Sequence, residues 1–290
     1  MGKFSRTYFR SGTIARDLLP LVRDALEGKY RVDREIARGG AARVFLAQDG
    51  EGTSVALKVL HPELAVSVTA DRFLREISFL SKIEHPNIAT LLDYGESDWL
   101  VYYVMPYVPG PTLRQHLDRV KKVSVSDTLR IARDLLSALT YAHEMGIVHR
   151  DVKPENVVLA DTGPVLMDFG IARAIAQSGQ DRLTRSGFAV GTSTYMSPEQ
   201  VSGAEDIDHR SDVYSLGCVL FECLAGRPPF VASREELILS MHHQEKPPDL
   251  TQFRKDAPEG LAGLVARALK KEREDRWQTA SEMAKALESD

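Results

Sequence analysis

One stretch constrains this chain more than any other. Val148-His149-Arg150-Asp151-Val152-Lys153-Pro154-Glu155-Asn156 puts acid, base and amide within a few residues. An apolar run follows (Val157-Val158-Leu159), then turn residues (Asp161-Thr162-Gly163-Pro164), then Val165-Leu166-Met167-Asp168-Phe169-Gly170. The pattern predicts a loop, a short hairpin and a second loop headed by an acid. Such a hairpin carries Asn156 and Asp168 round to the cleft faced by Asp151. Two carboxylates and an amide make a hard, all-oxygen donor set, which suits Mg²⁺ better than zinc or copper. Mg²⁺ held by one or two carboxylates, with water and phosphate completing its shell, is the usual arrangement for ATP chemistry. Either triplet alone, His149-Arg150-Asp151 or Asp168-Phe169-Gly170, is an ordinary turn sequence. Both in this order, with Lys153 and Asn156 in register between them, argue against that bland reading.

With these motifs the chain resembles the protein kinase family, and within it the bacterial eukaryotic-like (Hanks-type) serine/threonine kinases, from Lys29 to Leu287. The resemblance implies an α+β, bilobal protein-kinase-like fold. A small β-rich N-lobe with one regulatory helix would span 29–107, a larger, mainly helical C-lobe 108–290, and a helical extension 1–28. It implies transfer of the ATP γ-phosphate to protein Ser/Thr hydroxyls, with ATP and Mg²⁺ as cofactors and Mn²⁺ as a substitute. Asp151 would accept or orient the substrate hydroxyl proton, Lys153 would stabilise charge on the transferred phosphoryl, and Asn156 and Asp168 would hold the metal. A lysine two residues after the aspartate is the form typical of serine/threonine rather than tyrosine kinases.

Composition sets outer bounds. At 290 residues, 43% hydrophobic and 27% charged, the chain is ordinary for a globular protein with one large core or two lobes. A net charge of −4 gives no basic footprint for nucleic acid. Cys218 and Cys223 offer neither a disulfide framework nor zinc spacing, which suits a reducing cytoplasm. The longest apolar stretch, Leu216 to Ala225, contains Glu222 and is too short to span a bilayer, and no secretory leader pattern is seen. Before the resemblance begins, Ile14, Leu18, Leu21, Val22, Ala25 and Leu26 recur at helical spacing, with Pro20 kinking that helix or starting a second. A helix packed on the protein's own small lobe is the plain reading. A weak homodimer or partner contact is the sharper one.

The remaining motifs test the resemblance in chain order. Ile36-Ala37-Arg38-Gly39-Gly40-Ala41-Ala42-Arg43-Val44 reads as strand, glycine turn and strand. In the family this loop covers the ATP phosphates. Here Ala37 and Ala42 stand where the first and third glycines usually do, and a stiffer loop is expected. Val55 to Leu60 reads as a strand with Ala56 and Lys58 on one face. Thr69 to Ile83 reads as a helix with Phe73, Glu76, Ile77 and Leu80 on its inward stripe. A lysine in an apolar strand and an acid on an inward stripe each need a partner. The resemblance makes them a pair, with Lys58 on the α/β-phosphates positioned by Glu76. Leu100 to Met105 reads as a strand. By resemblance Met105 is the gatekeeper, Pro106 supplies a carbonyl and Val108 an N–H to adenine, and Ile36, Val44, Ala56 and Val158 form its apolar walls. Leu80, Leu91, His149 and Phe169 would stack as a spine.

Ser126 to Met145 reads as an amphipathic helix closed by Gly146. Gly170 to Glu199, ending Gly191-Thr192-Ser193-Thr194-Tyr195-Met196-Ser197-Pro198-Glu199, resembles a protein kinase activation segment, with Thr192 set near Asp151 and Lys153. This segment speaks against a small-molecule kinase. Within it Thr184 and Ser186 match the autophosphorylation site of the bacterial subfamily, and Arg150 is the expected phosphate partner. The implied partners are protein substrates bearing Ser/Thr and the chain itself in trans. Ser211 to Leu224 reads as an apolar helix, and by resemblance its Asp212 would accept catalytic-loop N–H groups. Helices near Ala257–Lys271 and Ala280–Glu288 follow, the second opened by a Thr279/Glu282 capping box. By the same resemblance Arg276 is expected to pair with Glu199. The rival function is a pseudokinase that binds nucleotide as a scaffold. Lys58, Asp151 and Asp168 argue against it, and only the altered glycine loop speaks for it.

Overall fold

The computed structural model describes residues 17–39, 42–61, 77, 79–97, 100–169 and 193–288. The chain forms two compact units. One contains the described residues up to Lys82 together with Thr90–Tyr107; the other contains Ile83–Ala89 and the described residues from Val108 onward.

The first unit is a five-stranded antiparallel sheet with a helix. Helix α1 (Leu19–Ala25) precedes β1 (Arg31–Arg38), β2 (Ala42–Gln48), β3 (Ser54–Leu60), β4 (Asp93–Ser97) and β5 (Leu100–Pro106), in sheet order β1-β2-β3-β5-β4. Pro20 lies in the first turn of α1, where its missing N–H costs nothing, so it starts this helix rather than kinking it. Leu18, Val22 and Leu26 recur at i, i+4 and i+8 and are buried in one cluster with Val32, Phe45, Leu57 and Val104. Residues 17–26 therefore pack on this unit's own sheet; Ile14 lies outside the described residues. Polar ties fix the same junction: Arg23 Nε donates to the Val32 carbonyl at 2.7 Å, and Ser97 Oγ donates to the Ala25 carbonyl at 2.9 Å. The expected helix over Thr69–Ile83 lies mostly outside the described residues. Its end is a 3₁₀ turn, Phe79–Lys82, and Ile77 and Leu80 are buried.

The second unit is mainly helical. Its elements are α2 (Leu113–Val120), α3 (Val125–Glu144), the hairpin β6 (Val157–Ala160) and β7 (Gly163–Leu166), α4 (Pro198–Val201), α5 (Arg210–Ala225), α6 (Glu235–Gln244), α7 (Glu259–Ala268) and α8 (Ala280–Glu288). A mainly helical unit and a separate sheet unit make up the α+β class the sequence indicates. Helix α3 begins one residue before its expected start because Ser124, not a later serine, caps it, accepting the Asp127 N–H at 3.0 Å. Its inward stripe, including Ala132, Leu135, Leu136, Leu139 and Ala142, is fully buried. Helix α5 is buried on every side from Ser211 to Ala225, with α3 and α7 packed against it. Gly226 ends it in the left-handed conformation at φ 78°.

Two longer helices stand where the sequence reading names none. The first, α2, is opened by a full capping box between Thr112 and Gln115. The second, α6, carries Glu235 and Glu236 in its first turn but buries only His242, so its apolar signal is weak. Helix α7 is shorter than expected. Pro258 stands at its N-cap, and at its far end the carbonyls of Lys270 and Lys271 accept from the Arg276 side chain at 2.8 Å each. At α8 half of the capping box forms: Thr279 Oγ1 accepts the Glu282 N–H at 2.9 Å, while the Glu282 carboxylate takes the Gln278 N–H instead.

Candidate active site

The loop between α3 and β6 is held from beneath by one buried carboxylate. Asp212, fully enclosed at the start of α5, accepts the backbone N–H groups of His149 and Arg150 at 2.8 and 2.7 Å and the His143 Nε2–H at 2.8 Å. Burial pushes its carboxyl up. The hydrogen bond and charge of His143 and the backbone donors outweigh this, and hold it below the usual carboxylate range. His149, also fully buried, ties the two catalytic loops together. Its Nε2 lies 2.8 Å from the Met167 carbonyl and its Nδ1 3.1 Å from the Asp151 N–H. A carbonyl only accepts and an N–H only donates, so the ring is the neutral Nε2–H tautomer. Its face meets Phe169 with centroids 4.5 Å apart.

Above this base the polar side chains converge. Lys153 Nζ reaches both Asp151 oxygens, at 2.9 and 2.7 Å. Asn156 Nδ2 donates to the Asp151 carbonyl at 2.8 Å and to its Oδ2 at 3.0 Å. The Asp151 carboxylate is thus fixed from two sides by a cation and an amide. The 3₁₀ turn Pro154–Asn156 and the β6–β7 register bring the second acid back: the Met167 N–H donates to the Asn156 carbonyl at 2.8 Å, one residue before Asp168. Arg150 and Asp168 have φ of 68° and 62°. Left-handed backbone at non-glycine residues costs about 1–3 kcal/mol each and persists only where surroundings over-determine it. At Arg150 the clamps are Asp212 on its N–H and Gln200 on its carbonyl, both at 2.7 Å. The Arg150 guanidinium donates to the Ile207 carbonyl at 3.1 Å.

The donor chemistry fits a family-type metal. Asn156 is buried and its amide nitrogen is committed to Asp151, which fixes the side its carbonyl oxygen faces. With Asp168 it offers two oxygen ligands. Among the described residues no group of three or more His, Cys, Asp or Glu could hold a metal ion by itself. A cation here would draw its remaining ligands from water and phosphate, as Mg²⁺ does.

In the first unit the expected nucleotide-facing residues share one face of the sheet. Val44 pairs with Lys58 and Lys58 with Tyr103; Leu46 pairs with Ala56 and Ala56 with Met105. Alternation puts Val44, Ala56, Lys58 and Met105 together, on the face opposite Phe45, Leu57 and Val104. The Lys58 ammonium lies 5.7 Å from the Tyr103 ring centroid. Ile36 sits at a register shift between β1 and β2, a bulge that breaks the ladder there. Ala42 is a buried residue of β2 paired with Leu60, so no glycine freedom is called for at that position. Pro106 ends β5 opposite Val55, where its lack of an N–H is tolerated; Val108 is half-buried, and Val158 is buried in β6. Gly40, Glu76, Thr184, Ser186 and Thr192 lie outside the described residues, so the Lys58–Glu76 pairing, the phosphosites and the Thr192 placement are not described.

Past residue 193 the chain is fastened at several points. Glu199 and Arg276 form a buried bidentate pair at 2.8 Å for both contacts, with Arg276 fully enclosed. His242 Nε2 donates to the Thr194 carbonyl at 2.9 Å, and Ser215 Oγ donates to the Tyr195 carbonyl at 2.8 Å. Several groups here escape motif reasoning. Arg114 on α2 joins Glu222 at 2.9 Å, Glu155 at 3.0 Å and the Tyr195 hydroxyl, which also donates to Glu222. Burial alone would lower the Arg114 pKa, but the Glu222 hydrogen bond and charge raise it; burial and then Glu222 push the Tyr195 phenol up. An acid inside an apolar helix was the legible signal, since such a carboxylate needs a partner. Nothing in spacing points to His143, Gln200 or His242.

Comparison with known proteins is consistent along the chain. Residues 30–287 match the family model described as protein kinase domain. A probable serine/threonine-protein kinase of Streptomyces coelicolor is 40% identical over 272 residues, covering 91% of this chain and 40% of the relative. The serine/threonine-protein kinase PknB of Mycolicibacterium smegmatis is 39% identical over 265 residues, covering 89% of this chain and 42% of the relative. PknB of Mycobacterium tuberculosis gives the same identity and coverage. The chain thus spans about two-fifths of the length of the curated relatives it matches. With the family model matched over nearly all of its residues, the chain belongs to the protein kinase family.

Proposed function

We propose that this chain is a serine/threonine protein kinase catalytic domain that transfers the ATP γ-phosphate to Ser or Thr hydroxyls of proteins. One observation carries the reading: Asp151 is fixed between Lys153 and Asn156, and Asn156 is tied through its carbonyl to the residue before Asp168. Asp151 orients the acceptor hydroxyl and takes its proton. Lys153, already on that carboxylate, stabilises charge on the moving phosphoryl. Asn156 and Asp168 would hold Mg²⁺, or Mn²⁺ in its place, and a divalent cation there neutralises charge on the phosphates. Lys58, positioned by Glu76, is assigned to the α/β-phosphates, and Gly39 and Gly40 to the phosphate-covering loop. Met105 is assigned as the gatekeeper, Ile36, Val44, Ala56 and Val158 to the apolar walls of the adenine site, and the Pro106 carbonyl and Val108 N–H to its edge. Thr192 is assigned to the acceptor hydroxyl's side of the catalytic loop.

Thr184 and Ser186 are proposed as sites phosphorylated in trans by a second copy. Residues 29–107 are proposed as the small lobe and 108–290 as the large lobe, with the α1 segment of the 1–28 extension an integral layer of the small lobe. Among the described residues no helix is long and apolar enough to cross a membrane, and the domain is proposed to act in the cytoplasm. Incubation with MgATP followed by peptide mapping tests the reading. Acid-stable phosphoserine or phosphothreonine on an added protein and on the 183–187 peptide is expected. Phosphate absent from every Ser and Thr would overturn it.

A further inference from the structure

We propose that Gln200 is a positioning residue for the phosphoryl-transfer step, the link through which the end of the activation segment sets the backbone in front of the catalytic acid. The inference rests on the role given above to Asp151. Gln200 lies in the first turn of α4, and its side-chain amide is used at both ends. Its Oε1 accepts the Ser197 N–H at 3.0 Å and the Ser197 hydroxyl at 3.1 Å, closing a capping box. Its Nε2 donates to the Arg150 carbonyl at 2.7 Å. A capping residue needs only its acceptor, so the donor is a second and separate function of this side chain.

That donor reaches one peptide group and no ordinary one. Arg150 is in the left-handed region at φ 68°. Its N–H is taken by Asp212 at 2.7 Å, and the next N–H, that of Asp151, by His149 at 3.1 Å. The Arg150 carbonyl belongs to the same peptide plane as the Asp151 N–H. Gln200 and His149 therefore hold the two ends of the plane that aims Asp151. The other fastenings of α4 end elsewhere: Glu199 goes to Arg276, and the Ser197 hydroxyl stays within its own cap. Among the hydrogen bonds of the described residues, Gln200 to Arg150 is the one that runs from α4 to the catalytic loop.

Gln200→Glu separates the two functions. A carboxylate still accepts from Ser197 but cannot donate to Arg150, and it sets an anion against a carbonyl. Displacement of a catalytic group by about an ångström costs on the order of 10²-fold, and partial release of this plane is expected to lower kcat about tenfold or more. KM for ATP should stay unchanged. Ser197→Ala, which weakens the cap but keeps the Gln200 donor, should lower the melting temperature and leave kcat near wild type. A merely structural role for Gln200 predicts the reverse pairing, with kcat following the melting temperature in both variants. Should Gln200→Glu not fold, Gln200→Met, of similar length and without a donor, carries the same expectation. Wild-type transfer with an unchanged kcat in a folded Gln200→Glu or Gln200→Met variant overturns the inference alone. No phosphate transfer by the wild type overturns the reading of Asp151 and the inference with it.

Discussion

His242 should make the stability of this domain fall in mild acid. The ring is fully buried, between Phe230 at 4.9 Å and Tyr214 at 5.7 Å. Its Nε2 donates to the Thr194 carbonyl, so Nδ1 accepts from the Tyr214 hydroxyl 2.9 Å away. A second proton would have to enter a fully buried site, near the Lys271 ammonium. Burial first, and then that charge, lower the pKa from 6.5 to about 4, against the pull of the Thr194 hydrogen bond. The folded-state pKa is depressed. Between those values the unfolded chain binds a proton that the folded chain refuses. The stabilisation is therefore complete above 6.5 and is lost as pH falls toward about 4. At about 1.4 kcal/mol per pH unit, the loss totals roughly 3 kcal/mol. That is a large share of the ~5–15 kcal/mol by which domains are stable. Urea unfolding across this pH range, on wild type and His242→Gln, measures it. The variant keeps an N–H for Thr194 and an acceptor for Tyr214 but cannot titrate. Its stability should fall less steeply, by up to one proton's worth of slope. His85, which burial also shifts down, contributes to both proteins and cancels in the difference. Equal slopes in the two proteins would refute the reasoning.

Three further outcomes follow from other contacts. Glu199→Ala leaves the enclosed Arg276 guanidinium without its anion and should cost about 3–5 kcal/mol in urea unfolding, with Glu199→Gln/Arg276→Met recovering part of it; a loss under about 1 kcal/mol would contradict the pair's assigned role. Asp212→Asn replaces one of the two accepting oxygens with an NH2 group, leaves at least one of the three donors facing another donor, and should lower both the melting temperature and kcat. Because the Asp212 carboxyl is held below its ordinary 3.8, its contribution is present above that value and is lost as pH falls through the lower folded one, so the variant should show a flatter acid limb. Deleting residues 1–26 strips Leu18, Val22 and Leu26 from the sheet's core and should lower the melting temperature without changing the oligomeric state in solution; a dimer that becomes a monomer on truncation would instead support the homodimer reading.

The site was more legible than the scaffold around it. His149, Asp151, Lys153, Asn156 and Asp168 could be read as a set because their residue types answer one chemistry at fixed spacing. Asp212 and Arg276 were legible through the same motif logic. The hairpin followed from two β-branched runs about a turn, and α3 from an unbroken apolar stripe. What was hidden depended on partners far apart in sequence. Gln200 looks like any polar residue in a helix, and only the approach of the Arg150 carbonyl gives its nitrogen a task. His242 reads as an exposed helix residue until Tyr214, Phe230 and Thr194 enclose it. Helix α6 buries so little of itself that periodicity had nothing to detect. The length of α7 was misjudged because Pro258 stands at its N-cap and, past Leu269, the Lys270 N–H turns to the Arg267 carbonyl three residues back instead of continuing the ladder.

The proposal to test first is that the chain transfers phosphate and that Asp151 and Lys58 are each needed for it. The most direct test is transfer of label from γ-³²P ATP with Mg²⁺, comparing wild type with Asp151→Asn and Lys58→Met. Label on wild type or an acceptor protein, and its loss in both variants while both still fold, is the expected result. A folded wild type that binds ATP yet transfers no label, or an Asp151→Asn protein as active as wild type, would contradict it.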